Sequence, residues 1–149
     1  MDVFLEVRKH IPLDLIGMDT KKIGGLGEIL HPRIPQFIKD YRFIFNPIRY
    51  TSLGLAVIEA MMVGLPVVGL ATTEMVTVIR DGHSGVLHTD VDYLISQMKV
   101  LLDDKERAVR LGSEGKKVAF DRFNIKRFTH DWYQLLLKVI QEKNVLTAA

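Results

Sequence analysis

Four short apolar runs, each separated from the next by turn residues and helix-patterned segments, constrain the fold of this chain more than any other feature. They are Leu13-Asp14-Leu15-Ile16-Gly17, Phe43-Ile44-Phe45, Val67-Val68-Gly69-Leu70 and Val86-Leu87. Runs of this length are too short for helices and read as buried strands. Helical spacing lies around them: Val3, Phe4, Val7 and Ile11 after a capping Asp2, then Ile34, Phe37, Ile38 and Tyr41, then Gly54 to Val63. A short helix is expected over Glu74–Arg80 and a longer one on Val91, Leu94, Ile95, Met98, Leu101 and Leu102. A charged helix follows from Lys105 to Phe120, and Asn124 caps a last one striped by Ile125, Phe128, Trp132, Leu135, Leu136, Val139 and Ile140. Continuous apolar strands alternating with helices specify a parallel sheet covered on both faces. The expected fold is therefore α/β, a Rossmann-like doubly wound parallel sheet with C-terminal helices.

Bulk properties set outer bounds. The 149 residues amount to one domain, 1–149, and 48% hydrophobic with 26% charged residues is an ordinary globular composition. No apolar run reaches the roughly 18 residues of a membrane span, and the first residues lack the basic-then-apolar pattern of a signal peptide. With no cysteine, disulfides, thiolate metal sites and cysteine nucleophiles are excluded, which fits a reducing cytoplasm. A net charge of +2 gives no argument for nucleic acid. Lys116, Lys117, Arg122, Lys126 and Arg127 crowd late in the chain and read as a solvated helix face. Contact with an anionic membrane surface is the competing reading. The five histidines show no metal-ligand spacing, and only His83, inside a turn, stands out. The glycine loop Lys22-Ile23-Gly24-Gly25-Leu26-Gly27-Glu28 reads first as a turn.

One residue breaks its pattern. From Leu55 to Val63 the helix is apolar on every side except at Glu59. Such a helix is expected to be buried, and a buried carboxylate is costly unless donors meet it. Either a partner inside the fold satisfies Glu59 or a ligand diol does, as ribose does in nucleotide-binding sheets. Position favours the ligand, because the helix starts beyond the carboxyl end of a strand. The loop Tyr50-Thr51-Ser52-Leu53-Gly54 also places free N–H groups at its positive end, where a diphosphate would fit.

The stretch from Pro47 to Val68, with Gly54-Leu55, Glu59-Ala60-Met61-Met62 and Gly64-Leu65-Pro66-Val67-Val68, closely resembles the donor-site signature of group 1 (family 4) retaining glycosyltransferases. Val78-Ile79-Arg80-Asp81-Gly82-His83-Ser84-Gly85 resembles that family's Glu-Val-Ile-x-Asp-Gly-x-x-Gly, and Asp121-Arg122-Phe123-Asn124 the segment before its terminal helix. The resemblance implies the donor-binding domain of a GT-B enzyme that transfers a hexosyl unit from a nucleotide-diphosphate sugar. It implies no metal and no cofactor besides that substrate. Glu59 matches the second glutamate of the family's paired-glutamate motif, which holds the ribose, and Gly54 and Leu55 match the Gly-Leu whose amides meet the diphosphate. Thr51 stands where the first glutamate is usual, Ser52 and Leu53 replace Gly-Phe, Thr73 and Glu74 replace Gly-Gly, and Thr77 replaces the Glu of Glu-Val-Ile. Gly17, at the end of the first run, joins Thr73 and Glu74 as a secondary position. The family's opening strand, with its arginine and lysine, and the acceptor-binding domain have no counterpart here. A free sheet edge, self-association, a partner half in cis or trans and inactivity of the isolated chain are therefore expected. The alternative is a non-catalytic sugar-nucleotide-binding or regulatory module; the Gly-Leu-x-x-x-Glu-Ala-Met run argues against an epimerase.

Overall fold

In the computed structural model, residues 2–50 and 52–147 are described, with side chains through Gln141. The chain forms α1 (Asp2–Arg8), α2 (Ile34–Ile38), β1 (Ile44–Asn46), α3 (Leu55–Val63), β2 (Val67–Leu70), α4 (Met75–Val78), β3 (Gly85–His88), α5 (Val91–Asp103), α6 (Lys105–Phe123) and α7 (Ile125–Thr147). Single 3-10 turns sit at Thr20–Ile23 and His31–Arg33. The strands form one parallel sheet in the order β1-β2-β3, with Ile44 opposite Val67 and Val67 opposite Gly85.

Strand β2 is buried along its whole length, so its two faces feed two cores. Val68 and Leu70 join Val7, Phe43, Leu94, Met98, Leu101 and Leu111 on one side. Val67 joins Val57, Met61, Met75, Val78, Leu87 and Ala119 on the other. Helices cover both faces, as the apolar runs require. Chain punctuation follows the sequence: Gly64 ends α3 at φ +92 and donates its N–H back to α3, and Asn124 caps α7 through a 2.8 Å bond from the Arg127 N–H. Asp90 caps α5 by accepting from the N–H groups of Asp92 and Tyr93. Two glycines in α6 make its approach close. A Cβ on Gly112 would lie 1.9 Å from the Gly64 carbonyl oxygen, and one on Gly115 2.9 Å from that of Ser84.

The expected first strand differs. Residues 13–17 make a single parallel bridge, Ile16 to Gly27, with Leu26 N–H donating to the Leu15 carbonyl at 2.8 Å and Gly17 N–H to that of Gly27 at 2.9 Å. Their neighbour is the glycine loop, whose Gly24 and Gly27 turn at φ +76 and +92 and so cannot run on as a strand. β1 keeps a free outer edge among the described residues, as expected. A small apolar cavity of about 100 Å³, lined by Ile16, Phe37, Ile38, Phe43, Ile44 and Leu65, separates it from that segment.

α7 is amphipathic, and its stripe faces outward. Ile125, Phe128, Trp132, Leu135, Leu136, Val139 and Ile140 are all at least half exposed. The basic cluster divides. Lys117 pairs with Glu114 at 2.6 Å and Lys116 lies over the Phe120 ring, both on the surface. Arg122 instead donates to the Thr77 carbonyl, and Arg127 to Asp131 and to the carbonyls of Asp121 and Arg122. Arg122 thus links α6 to α4 and Arg127 links α7 to the end of α6, while both side chains stay exposed with the lysines, as a solvated face requires.

Candidate functional site

The carboxyl end of the parallel sheet gathers two loops. Asn46, buried at the end of β1, accepts the Ile48 N–H at 3.0 Å and starts the loop that leads into α3. The loop after β2 approaches it, with the Thr72 hydroxyl donating to the Ile48 carbonyl at 3.4 Å. This is the end of an open α/β sheet at which ligands bind.

At the head of α3, Gly54 is the N-cap, and no side chain caps the helix. The Val57 N–H closes on the Gly54 carbonyl at 3.0 Å, whereas the N–H groups of Leu55 and Ala56 have no acceptor among the described residues. Gly54 has ordinary extended dihedrals, φ −71 and ψ 143, and a Cβ there would meet nothing within 4 Å. The fold does not require glycine at this position. Its absent side chain keeps the space before the two amides open.

Glu59 lies one turn further on, about 6 Å along the axis at 1.5 Å per residue. The expectation of a buried carboxylate is corrected here. Only Val57, Ala60 and Met61 of α3 are buried; Leu55 is 75% exposed and the Glu59 side chain 33%. The outer face of α3, although apolar, opens on a groove of about 570 Å³ that it shares with Phe123, Phe128 and Trp132. Glu59 has one partner among the described residues, the imidazole Nε2 of His31, 2.8 Å from Oε1. Sequence reasoning missed His31. The pair spans 28 residues, and no local pattern announces it.

The other candidate positions separate. Ser52 is exposed beside the helix head, while Leu53 turns inward and packs against the α3-side core, so its side chain belongs to the fold. Thr51 lies outside the described residues. Thr73 takes a left-handed φ of +44, and Glu74 accepts the Thr77 hydroxyl at 3.2 Å. Gly17 sits in its own turn at φ +128, its carbonyl accepting the Thr20 hydroxyl at 2.8 Å. The glycine loop is pinned by Arg8, whose guanidinium donates to the carbonyls of Ile23 and Gly24 at 3.2 and 2.7 Å. In the Asp81 turn, the carboxylate accepts the Leu87 N–H at 2.9 Å. Among the described residues no three His, Cys, Asp or Glu side chains group as for a metal, and no helix is long and apolar enough to cross a membrane.

The fold matches part of known GT-B glycosyltransferase structures. The chain superposes on part of sucrose-phosphate synthase from Thermosynechococcus elongatus with a TM-score of 0.83, at 20% identity, covering 95% of this chain and 42% of that one. TarM of S. aureus, in complex with fondaparinux, alpha-GlcNAc-glycerol and UDP, matches at 0.76 and 18% identity over 90% of this chain and 32% of that one. Anabaena HepE in complex with UDP-glucose matches at 0.67 and 19% identity over 80% of this chain and 35% of that one. Residues 8–104 match the family model for group 1 glycosyl transferases. The chain belongs to the group 1 glycosyltransferases. It is 33% identical over 88 residues to D-inositol 3-phosphate glycosyltransferase 1 of Catenulispora acidiphila, a match spanning 56% of this chain and 21% of that protein.

Proposed function

We propose that this chain is the sugar-nucleotide-binding half of a retaining glycosyltransferase, which transfers a hexosyl unit to an acceptor held by a second domain. The observation that carries the reading is the head of α3. Two amides with no acceptor among the described residues lie beside an open glycine, and a carboxylate whose side chain is 33% exposed follows one turn later on the same side. The spacing suits a nucleoside diphosphate, with the diphosphate on Leu55 and Ala56 and the ribose diol on Glu59.

The chemistry follows from that placement. When the bond between the anomeric carbon and the donor phosphate breaks, negative charge builds on the leaving diphosphate. The N–H groups and the positive end of α3 are fixed in place to meet it. Glu59 accepts hydrogen bonds from both ribose hydroxyls and sets the register of the nucleotide along the helix. Thr51, where the family usually has a glutamate, offers one neutral hydrogen bond to the sugar.

Two features support a partner half. The apolar outer face of α3 runs into the exposed stripe of α7, and a surface of that kind marks an interaction site. The chain also spans less than half the length of the solved structures it matches. UDP and UDP-glucose are bound in complexes of two of those neighbours, which supports a nucleotide-sugar donor. A crystal of the chain soaked with UDP-, GDP- and ADP-sugars tests the reading. Phosphate density at the Leu55 and Ala56 amides is the expected result. Nucleotide density at any other place would defeat it. Binding without transfer after an acceptor domain is added would favour the non-catalytic module.

A further inference from the structure

We infer that His31 is a positioning residue for the donor ribose, acting by holding the Glu59 carboxylate in its diol-accepting orientation; this rests on the reading of Glu59 given above. The Glu59 side chain, 33% exposed, springs from the face of α3 that lines the groove. One group within the described residues restrains it, the His31 Nε2 at 2.8 Å from Oε1. With Glu59 ionised, Nε2 carries the proton and donates.

His31 comes from a stiff support. It opens the 3-10 turn His31–Arg33, with Pro32 locking the next φ, the Arg33 N–H bonded to the Leu30 carbonyl at 2.8 Å, and α2 following without a break. The ring thus approaches Glu59 from the α2 side and leaves Oε2 open. Oε1 has a second lone pair, so both oxygens can still accept from a cis-diol. A hydrogen-bonded pair with its histidine 79% and its carboxylate 33% exposed adds little to folding stability. Its consequence is therefore local: the carboxylate is ordered before the ligand arrives, and the entropy of ordering it is not lost on binding.

The test compares UDP with its 2′,3′-dideoxy analogue by NMR titration of wild type, Glu59→Gln, His31→Ala and His31→Gln. UDP should bind His31→Ala about fivefold more weakly than wild type, the scale of one hydrogen bond to a charged group in partial solvent. The dideoxy analogue, which has no diol to place, should bind both within twofold. His31→Gln, whose amide N–H can donate to Oε1, should recover most of the loss. Equal weakening of both ligands, or none, in His31→Ala would overturn the inference while a selective loss in Glu59→Gln leaves the ribose reading intact. If Glu59→Gln also fails to discriminate the two ligands, the ribose reading falls and the inference falls with it.

Discussion

Replacing Gly112 with alanine tests how α3 is held. A methyl group at this position would sit 1.9 Å from the Gly64 oxygen, 2.8 Å from its carbonyl carbon and 3.1 Å from Pro66 Cδ. Ordinary contact begins near 3.4 Å, so α6 must retreat by about 1.5 Å, or the Gly64 carbonyl must turn. Turning it disturbs the left-handed cap that ends α3, whose N–H bonds run back to Ala60 and Met61. Retreat loosens Met61 and Ala119, both fully buried where the helices meet. Alanine returns about 1 kcal/mol of helix propensity, against about 3 kcal/mol for overpacking against backbone. The net loss should be about 2 kcal/mol, which for a chain of this length lowers Tm by about 4–8 °C. Urea unfolding followed by circular dichroism reads it as a lower midpoint at unchanged slope. Gly115→Ala, with its nearest atom at 2.9 Å, should lose less. A Gly112→Ala protein as stable as wild type would refute the close-approach argument.

Asp90→Ala removes the carboxylate that accepts two N–H groups at the head of α5 and should cost about 1 kcal/mol in the same unfolding assay. Burial, with the hydrogen bond and charge of Asp14 beside it, pushes the Tyr41 phenol from its ordinary value of 10 up to about 12. The unfolded chain loses that proton first, so the stabilising effect of protonated Tyr41 is complete below pH 10 and fades as pH rises through about 12. Absorbance at 295 nm should show Tyr41 titrating late, a step lost in Tyr41→Phe. The α7 stripe should drive weak self-association of the free chain, visible by sedimentation and reduced in Leu136→Lys; a wild-type monomer at high concentration would contradict it.

What the sequence made legible was whatever depends on short-range pattern. Val67–Leu70 reads as a strand buried on both faces because every residue in it is apolar, and Gly64 followed by Pro66 marks the end of α3 with ordinary cap chemistry. The parallel sheet, the terminal helices and the family followed from runs and motifs of that kind. Leu13–Gly17 has the composition of a strand but not its setting, since its neighbour is a glycine loop. Glu59 was expected to be buried because α3 is apolar all round. Pattern cannot tell a face packed in a core from one that opens on a groove, and Leu55, Ile58 and Met62 do the latter. His31, and the contact of Gly112 with the Gly64 carbonyl, are long-range meetings that no window of sequence contains.

On the proposed reading, α3 holds a nucleoside diphosphate between its first amides and Glu59. The most direct measurement is an NMR titration of the 15N-labelled chain with UDP, GDP and ADP, repeated on Glu59→Gln. Binding is expected in the range of about 0.1–1 mM, the scale of a few hydrogen bonds. The largest shifts should fall on the amides of Gly54, Leu55, Ala56 and Glu59, and Glu59→Gln should bind about tenfold more weakly, as loss of a charged acceptor for two hydroxyls requires. Shifts centred away from α3, or equal affinity in Glu59→Gln, would contradict it.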